Sequence, residues 1–438
     1  MTSPSKPTPA RISFRPRWVT TVDLEALPPQ MTAPQANGGA GHRPLDARVL
    51  VRLHGAPLGI VECPLVDGKI TGSDLKSAIG RDLHHAYVNH LSRCEGIDDC
   101  DDWAPPQGGW PSVSVVVCTH ERPESLAKCL TSLLAADYPA LDIIVVDNAP
   151  RTSEGRELVA SYQDARIQYV CEPTPGLSTA RNRGIAEATG EIVAFTDDDV
   201  EVDSDWIREL VRGFARAEDV DLVTGLILAA ELTTHAQGLF ERKVSWGAGF
   251  TPRLYRWDRR SSDEVVKPFN CGMIGTGASF AVRRDTLRRV GTFDEGLGAG
   301  SPTRGGEDLD YFYRVLRSGS AIAFEPSSLV WHHHRQDMET LRGQMRGYGS
   351  GLTAFASKQL FTRGLWIDAW RDLPRALVRL VISETGSGTR RKLDDVGSLP
   401  RDLRMIELIG MAEGPYLYWR RRVTRRLRSH TRHGATRP

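Results

Sequence analysis

No stretch of the 438 residues approaches the ~18 consecutive apolar residues of a membrane-spanning helix. Any contact with a membrane is therefore expected from the side. The first ten residues lack the apolar centre of a secretory signal, and the chain reads as cytoplasmic. Paired cysteines are lacking too. The seven present (Cys63, Cys94, Cys100, Cys118, Cys129, Cys171 and Cys271) are odd in number, scattered and never two residues apart in a Cys-x-x-Cys, which argues against a disulfide framework or a zinc knuckle. An excess of one charge is also missing: 56 basic against 55 acidic side chains give a net charge of +1, so a uniformly basic nucleic-acid binder is not expected. The acids crowd the middle and the arginines the C-terminus. With 40% hydrophobic and 25% charged residues the chain is globular and long enough for two or three domains.

Residues 1–47 mix Pro, Gly and Ala and read as a flexible arm with one candidate strand, Trp18 to Val22. From Arg48 to about 102 a small α+β module is expected. Two strand-like runs flank the turn-prone Gly55-Ala-Pro57, and a helix follows the capping residues Thr71 and Ser73. Its His84, His85 and His90 read as exposed helix residues. Pro and Gly between Trp103 and Pro111 mark a boundary.

The main domain is expected over 110–335, in two halves, 110–230 and 231–335. Short β-branched runs at Val113–Val117, Ile143–Val146, Ile167–Val170 and Ile192–Phe195 alternate with helical patterns, the mark of a Rossmann-like sheet flanked by helices. In such sheets ligands lie beyond the carboxyl ends of the strands. Those ends carry Thr119, His120, Glu121 and Arg122, then Asp147 and Asn148, then Arg181 to Arg183, then Asp197, Asp198 and Asp199. Three adjacent acids repel one another unless a positive charge sits among them, so a divalent cation and a phosphate are expected there. In extended geometry Asp197 and Asp199 share one face and Asp198 takes the other. Standing alone, the triple also reads as an acidic turn, Asp147 as part of an Asx turn and Glu307-Asp308 as an N-terminal helix cap.

The ordered set Val117 to Pro123, Val146-Asp147-Asn148, Pro175 to Gly184, Phe195 to Asp199 and Gly306 to Asp310 closely resembles the family-2 glycosyltransferases. The resemblance covers about 113–335 and implies that 110–230 is the nucleotide-sugar half and 231–335 the acceptor half. It implies a glycosyltransferase-A type mixed sheet and inverting transfer of a sugar from a nucleotide-diphosphate donor to a hydroxyl acceptor, which could be a glycan, lipid-linked or small-molecule group. It implies nucleotide-sugar contacts at Thr119, His120, Glu121, Arg122, Asp147, Arg181, Asp197 and Asp198. Asp199, with Asp197 sharing, would hold Mn²⁺ or Mg²⁺, and a histidine at His332 or His334 would be a further ligand that favours manganese. Asp308 matches the general base, and Glu307 orients the acceptor or its loop.

Rival readings are a sugar nucleotidyltransferase, which usually needs a glycine-rich loop where Cys118 to Pro123 has no glycine, and a catalytically dead nucleotide-sugar-binding scaffold. The aromatics Trp246, Phe250, Tyr255 and Trp257 suit either an acceptor surface or the core. The C-terminal region, 336–438, reads as helical and Arg-rich, suited to an anionic membrane, to solvent or to a subunit contact.

Overall fold

The computed structural model describes residues 14–34, 43–92, 109–244, 249–257, 273–362, 393, 396–397 and 399–434. Trp246 and the expected linker around Trp103 lie outside the described residues.

The N-terminal module comprises β1 (Arg17–Asp23), β2 (Gln30–Thr32), β3 (Asp46–Leu53), β4 (Ala56–Pro64), β5 (Lys69–Thr71), α1 (Gly72–Asp82) and α2 (His84–Leu91). β3 and β4 form the expected hairpin, turned at His54 and Gly55 with φ of 50° and 73°, the left-handed pair that a two-residue turn demands. Alternation along β3 sends Ala47, Val49, Val51 and Leu53 inward against Val61, Leu75 and Ile79. Thr71 caps α1, its hydroxyl accepting from Asp74 N at 3.2 Å. β1 pairs in parallel with β3, so residues 17–23 are the edge of this sheet rather than part of a loose arm. The apolar Trp18 and Val22 supply the reason, both packing into the module's core.

The main sheet begins with β6 (Val113–Thr119), α3 (Pro123–Ala135), β7 (Leu141–Asn148), α4 (Glu154–Tyr162), β8 (Ile167–Glu172), α5 (Leu177–Glu187) and β9 (Ile192–Asp197). It continues through β10 (Val200–Val202), α6 (Trp206–Gly213), β11 (Val220–Ala229), α7 (His235–Lys243), β12 (Arg253–Tyr255), β13 (Ser279–Arg283), α8 (Arg284–Val290), α9 (Glu307–Arg317) and β14 (Ala321–His332). The strand order is β10-β14-β11-β13-β9-β6-β7-β8, with β12 on β14. β6 to β9 are mutually parallel where they pair, and β13 runs antiparallel to both β9 and β11. The sheet is therefore mixed, as expected, and both faces are covered. Val113, Val115 and Val117 of β6 point into the core that holds Leu126, Leu130 and Trp206, while Val116 and Cys118 point into the one that holds Phe195, Phe280 and Phe312. Burial on both faces is why β6 reads as an unbroken apolar run. Tyr255 is buried in this second core, with Phe250 and Trp257 packed against it, so these aromatics serve the core rather than an acceptor surface.

Two helices, α10 (Met338–Phe361) and α11 (Arg401–Gly434), close the far side. They cross closely because Gly349 faces the Glu407 carbonyl and Gly410 faces the Arg346 carbonyl, where any Cβ would collide. Asp294 locks α11 down by accepting from Tyr418 Oη at 2.9 Å and pairing with Lys358 of α10 at 2.7 Å. The N-terminal module docks on the main domain through Leu50, which is buried in the core that holds Phe195, and through charge. Arg48 pairs with Glu241 of α7 at 3.2 Å, and Arg52 Nη1 donates to Asp203 at 3.1 Å.

Candidate active site

The parallel strands β6, β7 and β9 end side by side, with Thr119 opposite Asp147 and Cys118 opposite Asp197 in register. Pro123 starts α3 directly after β6, where a missing N–H costs nothing, and the two residues before it turn sharply, Glu121 with φ of 54°. The result is a cleft lined by Thr119, Glu121, Arg122, Asp147, Thr152 and Gly155. Glu121 shapes it by accepting from the backbone N–H of Arg151 at 2.8 Å and of Thr152 at 3.3 Å. Asp147 accepts from Tyr169 Oη at 2.9 Å, and burial raises its pKa. His120 Nδ1 lies 2.6 Å from the Asn148 carbonyl, and Asn148 in turn bonds Thr174 O at 2.8 Å and Gly176 N at 2.8 Å. His120 and Asn148 thus tie the strand ends together.

The acid triple divides differently from an extended strand. β9 stops at Asp197 and the chain turns through Asp198 and Asp199 before β10, so strand alternation does not govern their directions. Asp198 accepts from Thr119 Oγ1 at 2.8 Å and from Arg122 at 3.2 Å; burial and the neighbouring Asp199 carboxylate raise its pKa to about 6. Asp197 accepts from Arg181 at 3.1 Å, and burial pushes its pKa up against that cation. Asp199 Oδ2 meets Arg122 at 3.2 Å and Arg335 at 3.1 Å, while its Oδ1 faces His332 Nε2 at 3.4 Å. Burial drives the His332 pKa down to about 3, so the ring is neutral at ordinary pH. Burial pushes the Asp199 carboxyl toward its neutral form, and the charges of Arg335 and Arg122 favour its charged form.

Arg181 departs from its expected place against the nucleotide. It is 2% exposed and bonds Asp197 at 3.1 Å, Glu307 at 3.0 Å and the Gly277 carbonyl at 3.0 Å. A buried guanidinium needs such partners on all sides, and carboxylates from two distant segments supply them. Arg183, by contrast, is half exposed and pairs with Glu187 at 2.8 Å.

Glu307 and Asp308 start α9. Gly306 makes this start possible, since its φ of 88° and the Gly351 carbonyl packed against it leave no room for a side chain. Burial, then the adjacent Asp308 charge, raises the Glu307 pKa to about 7, with Arg181 opposing. Both Asp308 oxygens accept backbone N–H groups, Oδ2 from Gly277 at 3.0 Å and Oδ1 from Leu309 at 2.8 Å. Asp310 faces away and is wholly buried against Arg314, Lys358 and Gln359.

His334 does not face Asp199. Its Nδ1 lies 2.9 Å from His332 Nδ1 and its Nε2 lies 3.1 Å from Glu241, so both nitrogens are engaged and only His332 presents one to the acid triple. Glu241 and Arg335 belong to the site but to no motif. Arg335 sits beside the histidine run and was within reach of sequence reading; Glu241, on a helix 93 residues upstream of His334, carried no signal. Among the described residues no three His, Cys, Asp or Glu side chains already converge on one point as a complete metal cage. Asp199 Oδ1 and His332 Nε2 nevertheless suit a shared cation, because two donors bonded at about 2.1 Å to one ion lie a little over 3 Å apart.

Residues 114–290 match the family model described as glycosyl transferase family 2. The pre-mycofactocin glycosyltransferase of Mycobacterium tuberculosis is 28% identical over 313 residues, 70% of this chain and 58% of that protein. The succinoglycan biosynthesis protein ExoM of Rhizobium meliloti is 33% identical over 228 residues, 50% of this chain and 65% of that protein. The chain thus spans 58% and 65% of the length of these two curated relatives. Among solved structures, a mannosyltransferase of Pyrobaculum calidifontis in complex with GDP-Man and Mn²⁺ is 20% identical, covering 72% of this chain and 89% of its own, with a TM-score of 0.47. The match over 114–290 spans the part of the chain that holds the acid triple, and it is this part that is similar to glycosyl transferase family 2.

Proposed function

We propose that the protein is an inverting, metal-dependent glycosyltransferase that moves a sugar from a nucleotide-diphosphate donor to an acceptor hydroxyl. One observation supports this most: Arg181 joins Asp197 to Glu307 at 3.1 and 3.0 Å, so the acid triple and the pair Glu307-Asp308 lie side by side. In this reading the cleft around Thr119, Glu121, Arg122 and Asp147 takes the nucleotide, Asp147 accepting from the base or ribose. Asp199 and His332 hold Mn²⁺ in preference to Mg²⁺, since imidazole suits the softer ion. When bound, the cation neutralises the charge that develops on the departing diphosphate. Arg181 keeps Asp197 and Glu307 in place. Asp308, its oxygens oriented by Gly277 and Leu309, removes the proton from the acceptor hydroxyl as that oxygen attacks the anomeric carbon.

For the acceptor we favour a cleft of about 610 Å³ lined by Arg304, Arg346, Tyr416 and Arg420. Arg304 is four residues from Asp308, so chain length alone keeps their backbones within about 14 Å. The reading is tested by thermal shift with a panel of nucleotide sugars, with and without Mn²⁺. A cognate donor at about 100 times its Kd should add about 2.7 kcal/mol of stability, and only with Mn²⁺ present. No shift from any nucleotide in either condition would contradict it.

We also infer that α11 meets an anionic membrane from the side, in keeping with a cytoplasmic protein peripheral on the inner face. No described helix is long and apolar enough to cross a membrane. Met405, Leu408, Ile409, Tyr416 and Val423 are exposed on one side of α11 at helical spacing, with exposed Arg401, Arg404 and Arg420 beside them. An apolar stripe with cationic flanks fits the headgroup layer, where each arginine contributes about 1 kcal/mol. Co-sedimentation with phosphatidylglycerol vesicles but not with phosphatidylcholine vesicles is expected; equal partitioning to both would refute the reading.

A further inference from the structure

The cavity of about 610 Å³ favoured for the acceptor has an excess of cations. Arg304, Arg346 and Arg420 line it, and Glu413 is the one acid among the lining residues. Arg346 already engages that acid, its Nε donating to Glu413 at 3.0 Å. Arg304 and Arg420 are exposed and form no ion pair among the described residues; Arg420 lies over the Tyr416 ring, 5.6 Å from its centroid. Arg421 adds a third unpaired cation beside the wall. It is half-buried, and its Nη2 lies 3.8 Å from the Cβ that a side chain at Gly176 would carry, while Gly176 packs against Gly300 of the cavity. A guanidinium drawn partly out of water with no carboxylate bonded to it is costly, and a bound anion offsets that cost. Two separate elements supply these arginines. Arg420 and Arg421 come from α11, whereas Arg304 sits at a φ of 59° in a loop closed by Gly298 N–H on the Gly305 carbonyl at 3.2 Å. Tyr416 belongs both to the cavity wall and to the exposed apolar stripe of α11, with Met405, Ile409 and Val423 at helical spacing from it.

We propose that the acceptor is an amphiphilic diphosphate: a sugar carried on a lipid diphosphate, whose phosphates bind Arg304, Arg420 and Arg421 and whose hydrocarbon chain lies along the apolar stripe of α11. The inference rests on the placing of the acceptor in this cavity. Guanidinium forks match phosphate oxygens two at a time, and a diphosphate brings more than one negative charge to three unpaired cations, where a carboxylate or a phosphodiester headgroup brings one. The cavity is of a size that takes a small-molecule head. Because Tyr416 lies on its wall and on the stripe, a chain leaving the diphosphate passes from one to the other without crossing charged surface. Arg304 precedes Asp308 by four residues, so a diphosphate held there keeps its sugar near the residue assigned as base.

Calorimetric titration of the full chain with farnesyl diphosphate, below its micelle concentration and without divalent cation, is the test. The probe should bind at least about 10-fold more tightly than inorganic pyrophosphate, because part of its chain leaves water on the stripe. It should exceed farnesol and dihexanoyl phosphatidylglycerol, which carry no charge and one, by at least about 10-fold as well. Replacing both exposed arginines, Arg304→Gln with Arg420→Gln, should weaken farnesyl diphosphate by about 100-fold and leave farnesol where it was. Each single variant should lose about 10-fold, and these serve should the double variant fail to fold. Undiminished affinity for farnesyl diphosphate in the folded variants would overturn the site. Pyrophosphate binding as tightly as farnesyl diphosphate would remove the lipid, and phosphatidylglycerol binding as tightly would give the arginines to the membrane surface; either overturns the proposal. A chain that binds farnesyl diphosphate as expected, yet no nucleotide sugar with Mn²⁺, would instead overturn the transferase reading and leave the amphiphile site standing.

Discussion

Asp308→Asn should lower transfer by about 10²- to 10⁴-fold while donor affinity changes by less than about twofold. The substitution keeps the shape of the side chain and one acceptor for Gly277 N–H or Leu309 N–H, so the start of α9 should survive. It removes the capacity to take a proton. Because the hydrogen bonds of Asp308 go to the Gly277 and Leu309 backbone and not to the residues lining the nucleotide cleft, the cleft around Asp147 should be untouched. Single-turnover transfer measured beside calorimetric donor binding separates the two effects. Undiminished turnover would sink the assignment of the base, and a parallel loss of donor affinity would mean that Asp308 holds the donor instead.

The second large effect is expected at Asp199→Ala. Wild type should bind its donor at least about 100-fold more tightly with Mn²⁺ than without, and the variant should lose that difference. Asp199 is 6% exposed and meets Arg122, Arg335 and His332, so its removal takes the carboxylate from between two guanidinia. Some loss of stability follows, and Asp199→Asn, which keeps the volume, is the control for folding. Arg122 and Arg335 complicate the wild type in an informative way. They neutralise Asp199 before any cation arrives and must yield part of that contact when one does, so Mn²⁺ affinity should rise in Arg335→Gln. Donor affinity that is the same with and without Mn²⁺ in the wild type would contradict the role given to Asp199.

Much of this architecture could be read from residue patterns, because local chemistry determined it. The buried run of β6, the Thr71 cap of α1 and the turn at His54-Gly55 follow from side chains within a few residues of one another. The acidic pair at the start of α9 and the triple after β9 stand out for the same reason. What sequence reading misplaced depends on partners far along the chain. Arg181 reads as a nucleotide contact, and the approach of Glu307, 126 residues on, makes it a buried strut. His334 shares an extended segment with His332, but Glu241 engages its outer nitrogen. Asp198 and Asp199 were set in strand geometry, whereas the chain turns at Asp198. The candidate strand around Trp18 was legible as a strand, yet its membership of the module's sheet depended on pairing with β3.

The most direct test of the whole account is the configuration of the product, followed by proton NMR during transfer from the donor found by thermal shift. One displacement, with Asp308 as base and no covalent sugar on the protein, predicts that the first-formed glycosidic bond has the anomeric configuration opposite to that of the donor. Retention of the donor's configuration would contradict it.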